Sequence, residues 1–503
     1  MGIRMARPAS VILAAAMVVT MAGCSSDGGT ASASGGSGTQ LVAGRVAPAP
    51  GPVATVAPLT GGSGIDLVSA GEQPPLPSTW VEDEYSLSGT AVSYHAVGTL
   101  PADGRFHLAP GASAAYTTRI VVRRPASAAD FNGTVVVEWL NVSGGLDASP
   151  EYTYLANELI RGGYAWVGVS AQYIGIDGGP VAVSTPVSAL GGAGKGLVAQ
   201  DPARYGSLHH PGDAYSYDIF TQAARTLRHP GAVDPLGGLK PKLVLAAGES
   251  QSGFMLTTYA DGVQPLEHEF DGFLIHSRGG AAAPLGQPGQ GISITQAISG
   301  SPTRIRTDLD VPVIMVETES DVVGLLGYYP ASQPDTDRIR TWEVAGTSHV
   351  DSYQIGVVAK YFGCPTPVNS GPDNFVVASA LRHLATWAKG GAAPPEAPRF
   401  EVVDGKYVRD SNGIIVGGIR TPLVDVPVDV LSGQAGTGAS LVCQLAGSTT
   451  PLPADVLARM YPSPAVYVAA FTRSTDKAIA AGFVLPQDRA EMLAEAQPQL
   501  IAG

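Results

Sequence analysis

Leu243-Val-Leu-Ala-Ala-Gly248-Glu249-Ser250-Gln251-Ser252-Gly253-Phe254 is the stretch on which the fold turns. Five apolar residues without a polar break read as a strand buried on both faces. Small residues at the turn and a helical pattern after it read as a sharp strand-to-helix reversal with Ser250 at its tip. Such a turn forces one residue into strained backbone and holds its side chain out at the strand end. Gly248 and Ser252, two before and two after Ser250, are small enough to let strand and helix approach. A competing register puts Ser252 at the tip, but Phe254 would then fall where a small residue is needed.

Outward from this stretch the chain alternates short apolar runs with helical patterns, the habit of an α/β protein with a mostly parallel sheet. Strands are expected over 115–123, 134–140, 165–170, 242–247, 270–276, 311–316 and 339–344, and helices over 152–161, 213–228 and 373–389. The turn at Ser250 resembles the nucleophile elbow of the α/β hydrolases. In that superfamily an acid follows a later strand and a histidine follows the last strand. Here the strand ending at Val316 is followed by Glu317-Thr-Glu319-Ser-Asp321, and the strand ending at Val344 by Ala345-Gly-Thr-Ser-His349. Strand ends of this polarity are where open α/β sheets bind ligands.

The resemblance implies Ser250 as nucleophile, His349 as general base and Asp321 as the acid orienting it, with Glu319 and Glu317 as alternative acids. His383 is the other histidine after the acid, and its helical surroundings suit a structural place. The oxyanion donors would be the N–H of Gln251 and one from Asn141 or Val142, in the loop after the strand 134–140. Arg420 and Asp425 could line the pocket or pair with each other. Glu249 reads as a sheet-end residue that would add negative field beside Ser250.

The ordered set Glu-Trp-Leu-Asn-Val-Ser-Gly-Gly, Gly-Glu-Ser-Gln-Ser-Gly, Glu-Thr-Glu-Ser-Asp, Gly-Thr-Ser-His and Gly-Gly-Ile-Arg-Thr-Pro-Leu-Val-Asp-Val-Pro narrows the resemblance. It is similar to a family of bacterial secreted and lipoprotein α/β-hydrolase-domain proteins, and bears on fold and site more than on substrate. The expectation is an α/β-hydrolase fold over 64–503, with helices on both faces of a mostly parallel sheet. The Gly/Pro/Ala-rich stretch 277–310 would be a lid inserted over the sheet's C-terminal end, and 398–430 part of a β-rich C-terminal extension. The implied activity is that of a serine carboxylic ester hydrolase acting on a small-molecule ester. The alternatives are acyl transfer at the cell envelope and ligand binding on a non-catalytic hydrolase fold.

Residues 1–23 carry Arg4 and Arg7, an apolar run and a small-residue end before Cys24, as an export signal does. Met21-Ala-Gly-Cys24 resembles the lipoprotein box, which implies lipidation of Cys24 and a membrane-anchored or secreted, extracytoplasmic protein. Residues 24–63, rich in Gly, Ser, Ala and Pro, read as a flexible linker. Cys364 and Cys443 then remain as a pair in an oxidising compartment and are expected to form a disulfide, two buried thiols being the alternative.

Of 503 residues 45% are hydrophobic, enough for a large core, and only 15% are charged. The net charge of −13 makes nucleic acid and anionic surfaces poor partners. No HExxH, CxxC or phosphate-binding glycine loop is present, so neither cofactor nor metal is expected. His209-His210 and Glu267-His268-Glu269 could hold a metal, but adjacent side chains in loops more often just face solvent.

Overall fold

The computed structural model describes residues 45–68, 73–184, 192–292, 294–436 and 438–502. The expected signal segment and Cys24 lie outside the described residues. Among the described residues nine strands make one sheet. In chain order they are β1 (Thr55–Pro58), β2 (Trp80–Ala96), β3 (Leu108–Pro125), β4 (Thr134–Trp139), β5 (Ala165–Val169), β6 (Leu243–Glu249), β7 (Gly272–His276), β8 (Val313–Thr318) and β9 (Ile339–Val344). Their order across the sheet is β1-β2-β3-β5-β4-β6-β7-β8-β9. The six from β5 to β9 in that order are parallel, and β1, β2 and β3 extend the sheet as an antiparallel ribbon.

Alternation along the central strands explains the two-sided burial. Val135 and Val137 of β4 join Val244 and Ala246 of β6 in the core under the helices Ser216–Arg228 and Gln251–Thr258. Val136, Leu243 and Leu245 face the opposite core under the helices Pro150–Gly162 and Asp373–Ala388. Each strand therefore has no polar face to lose, and the sheet is dry on both sides. From β4 the chain crosses to β5 on one side and to β6 on the other, so β4 and β6 flank the point where strand order reverses. Crevices at such points are where ligands bind.

The linker reading of 24–63 is corrected over its described part. Thr55–Pro58 pairs with Tyr85–Ser88 of β2, Val56 is buried, and Arg45 forms an ion pair with buried Asp271. Val56 and Ala54 face the core between exposed neighbours, a period-2 pattern too short to stand out among glycines and prolines.

At the other edge the C-terminal extension takes over. Residue Ile419 pairs with β9 through Ala345 N–H to Ile419 O and Ile419 N–H to Glu343 O. The extension also contains the hairpin β10 (Val402–Val403) and β11 (Lys406–Tyr407), and a second antiparallel pair, β12 (Asp429–Ser432) with β13 (Ser448–Pro451). The helix Pro464–Ala480 packs Tyr467 and Phe471 onto Val426, Val428 and Tyr461 in a separate small core.

Candidate active site

Ser250 sits between β6 and the helix Gln251–Thr258 with φ 62° and ψ −122°, a conformation that L-residues avoid. The turn is held from both sides: Ser250 N–H donates to His276 O at 3.0 Å, and Phe254 N–H donates to Ser250 O at 3.1 Å. A Cβ on Gly248 would lie 2.9 Å from the Ser252 Cβ, so only glycine fits at 248. Ser252 itself lies inside the helix, fully buried, with its Oγ unpartnered and away from the histidine.

Three strand ends converge on this tip. His349, at the end of the loop after β9, places Nε2 2.7 Å from Ser250 Oγ and Nδ1 2.8 Å from Asp321 Oδ1. Asp321 lies in the first turn after β8, where its Oδ2 accepts from Thr318 N–H, Thr318 Oγ1 and Ser277 Oγ. Burial would raise the Asp321 carboxyl, but the adjacent His349 ring and the Thr318 donors outweigh it and hold the group below its ordinary range. For His349 burial acts to lower the pKa, and Asp321, with help from Glu249, overrides it and raises the ring above the ordinary imidazole value. Low-pKa acid and raised base are the signature of an ion-paired couple once the histidine takes a proton.

The alternative acids are elsewhere. Glu319 Oε1 accepts from Gly346 N–H at 2.9 Å, and its Oε2 meets Arg409 at 2.9 Å, so it fastens the histidine loop to the C-terminal extension. Glu317 is fully buried with no hydrogen-bond partner, and burial together with Asp321 pushes its pKa well up, as for a neutral acid.

At the oxyanion position, Gln251 N–H opens the helix that follows Ser250 and so has no acceptor within the helix. Asn141 is a correction. Its N–H donates to Ala148 O at 2.9 Å, and its side chain ties the loop to the turn through Glu249 O at 3.0 Å. Val142 N–H has no acceptor among the described residues. The loop is anchored from below: Asp147 bonds fully buried Arg119 at 2.7 Å, and Arg119 also holds Glu84 at 3.0 Å.

A cavity of about 400 Å³ opens onto Ser250 and His349. Its wall corrects the expectation of a lid at 277–310, for none of those residues lines it. That stretch packs Ala281, Ala283, Ile292 and Ala297 into the core on the far face of the sheet, the tertiary burial a glycine-rich composition conceals. The wall is built instead from Val350, Ile355, Val358 and Phe362 after β9, and from Val442 and Leu445 in the short helix Leu441–Ala446. Cys364 and Cys443 form a disulfide across these two segments, with Cα atoms 5.5 Å apart. The apolar spacing at 350, 355, 358 and 362 was the available sequence signal for this wall.

Sequence reasoning undervalued Glu249. It is 2% exposed and lines the cavity; Oε2 accepts from Gln354 Nε2 at 3.0 Å, and Oε1 stands unbonded 3.8 Å from His349 Nε2. Burial, only partly offset by His349 and His276, pushes its carboxyl up to about 7.

The remaining candidates are structural. His210 is buried, bonded to Ala171 O and to Gly212 N–H. Glu267 and Glu269 pair with Arg225, and His268 stands 3.4 Å from Asp310. Arg420 pairs with Asp425 at 2.5 Å, and neither reaches the cavity. His383 bonds Gly482 O. Among the described residues no group of three His, Cys, Asp or Glu side chains is placed to hold a metal, and no helix is long and apolar enough to cross a membrane.

A serine hydroxyl hydrogen-bonded to an imidazole that is held by a carboxylate is an arrangement that can activate the hydroxyl as a nucleophile. No curated protein matches the chain in sequence. Among solved structures it is similar to a fungal esterase from Rhizomucor miehei at 12% identity, with 64% of this chain and 86% of that one covered and a TM-score of 0.31. It is also similar to a glucuronoyl esterase from Solibacter usitatus at 11% identity, covering 59% and 82%, with a TM-score of 0.28. An alpha-beta serine hydrolase homologue from Coxiella burnetii matches at 12% identity, covering 46% and 84%, with a TM-score of 0.26. A family profile described as alpha/beta hydrolase domain spans residues 49–494, and with the strand-end site in place the chain belongs to that family.

Proposed function

We propose that the protein is a serine hydrolase of carboxylic esters that works through an acyl-enzyme on Ser250. The observation that carries this reading is the unbroken chain from Ser250 Oγ to His349 Nε2 at 2.7 Å and from His349 Nδ1 to Asp321 at 2.8 Å, opening on a cavity. Ser250 Oγ attacks the ester carbonyl carbon while His349 Nε2 takes its proton. Negative charge gathers on the carbonyl oxygen, where the N–H groups of Gln251 and Val142 receive it. Asp321 keeps the proton of His349 on Nδ1 and steadies the imidazolium. Collapse breaks the bond to the alcohol, which leaves with the proton from Nε2. Water then enters by the same path in reverse and releases the acid and a free Ser250.

The protein would act outside the cytoplasm, anchored through a lipid on Cys24. The Cys364–Cys443 disulfide supports an oxidising compartment.

The test is labelling of the purified domain with a fluorophosphonate probe. Wild type and Ser252→Ala are expected to label, and Ser250→Ala and His349→Ala to stay dark. Folded wild type that does not label would overturn the reading and favour ligand binding on a silent hydrolase fold. A labelled enzyme that gives transesterified product when alcohol is added would point to acyl transfer.

A further inference from the structure

The cavity walls carry information about the substrate. Besides Ser250 and His349, most of the described residues lining it are apolar, Val68, Leu146, Val183, Ile355, Val358 and Val442 among them, and Asn141, Ser143, Glu249 and Gln354 are the polar ones. Among the described residues no Lys or Arg lines it, so a substrate carboxylate or phosphate would find no counter-charge there. Among the described residues the one acid in the lining is Glu249, whose Oε1 is buried and unbonded and offers no positive charge to an anionic group. Burying an unpaired charge in such a place is costly, whereas burying methylenes is favourable. The volume is at the small end of ligand pockets, which run from about 300 to 1,000 Å³.

The segment Ser352–Phe362 closes one side, and its residues divide cleanly. Ile355, Val358 and Phe362 turn into the cavity, while Val357 and Tyr361 are 78% and 53% exposed. The disulfide at Cys364 pins the end of this strap to the opposite wall at Cys443.

Resting on the serine-hydrolase reading, we infer that the substrate is a neutral ester carrying an unbranched apolar chain of medium length, and that Val358 and Phe362 on the strap set that length. The chain occupies the cavity while the ester carbonyl lies against Ser250. A chain that outgrows the cavity must displace the strap or leave its end in water, so the preference has an upper limit.

The experiment measures kcat/KM for two series: p-nitrophenyl esters from acetate to palmitate, and acetate esters of straight-chain alcohols. In at least one series each added methylene should raise kcat/KM by about threefold to fourfold up to a maximum between butyl and octyl length, and then the rate should fall. A terminal carboxylate on the best chain should lower kcat/KM by about a hundredfold or more. Val358→Trp should move the maximum to shorter chains, and Phe362→Ala to longer ones, with circular dichroism and melting temperatures close to wild type showing that both variants are folded. Both series flat or declining from the shortest member, or a carboxylated ester turned over as well as its neutral match, would overturn the inference. Failure of wild type to label would instead remove the reading beneath it, so the two failures are told apart.

Discussion

The two sides of the cavity are built differently. The chemical side stands on strand ends: Ser250 follows β6, Asp321 follows β8 and His349 follows β9, each carried by a strand buried on both faces. The wall side stands on segments outside the sheet, with its own small core of Phe362, Val368, Val442 and Ala446 and a disulfide through it. The sheet side is positioned by the whole domain, and the wall by one local cluster and one covalent bond. Groups that must hold sub-ångström geometry thus sit where packing over-determines them, and groups that select a substrate sit where change is cheap.

The comparison breaks first at the reacting groups. Ser250→Ala or His349→Ala should lower kcat by about 10⁴ to 10⁶, and Asp321→Asn by about 10⁴, with thermal stability close to wild type, as steady-state kinetics and melting curves would show. An equal loss from a wall substitution such as Val358→Ala would erase the distinction drawn here.

Next comes the anchor beneath the oxyanion loop. Arg119→Met leaves Glu84 and Asp147 buried without their cation, and the expected cost is about 3–5 kcal/mol in denaturant unfolding. The disulfide tests the other side. Cys364→Ser with Cys443→Ser should cost about 2–5 kcal/mol. It should raise KM for the preferred ester more than it lowers kcat, because the wall loosens while Ser250, His349 and Asp321 keep their places. A kcat loss without a KM change would mean that the wall also positions the reacting groups.

A smaller effect sharpens the electrostatics. His349 must be neutral to accept the serine proton, and its pKa is raised, so the acid limb of kcat/KM should lie above the ordinary imidazole value. Glu249→Gln removes one carboxyl that raises it, and the limb should move to lower pH by up to about one unit. Stability should respond as well. Glu249 at about 7 and Asp351 at about 8, both raised chiefly by burial, keep their protons in the folded state, so stability falls as pH climbs from the ordinary carboxylate range through these values. The contribution of the His349–Asp321 couple follows the same sense for His349: it is full below the ordinary imidazole pKa and lost as pH rises through the raised one. Asp321, held low, loses its contribution only as pH falls below the ordinary carboxylate range. Glu249→Gln should therefore flatten the decline between the ordinary carboxylate range and about pH 7. The smallest effect is Ser252→Ala, which removes a buried hydroxyl without a partner and should stabilise by about 1 kcal/mol while leaving activity intact.

What could be read from sequence follows the same division. That Ser250, Asp321 and His349 meet was legible because each follows an unbroken apolar run, and chain order fixes their relation in space. The Cys364–Cys443 pairing was legible because the expected lipid on Cys24 leaves two cysteines. β2 was not: Trp80–Ala96 carries Glu82, Asp83, Glu84 and His95, and only Leu87, Ala91 and Tyr94 of its apolar residues are fully buried, as suits an antiparallel strand half in solvent. Asn141 was misassigned because the competing use of its N–H by Ala148 is a contact made by loop closure, which no local pattern encodes. The wall was hidden because its residues are joined only by tertiary burial, whereas the glycine-rich stretch 277–310 had the composition of a mobile cover without the position of one.

The way the sheet ends bears on how the protein behaves in company. An open sheet offers two rows of unpaired amides, each a template for another chain. Here Thr55–Pro58 runs along the outer side of β2 and stops at a proline, and the segment around Ile419 takes the ladder positions beside β9. Both borders thus end in short stretches that lie outside the alternating core, one before it and one after. Losing either would leave the chemistry of the strand ends untouched and make the molecule prone to aggregate edge to edge.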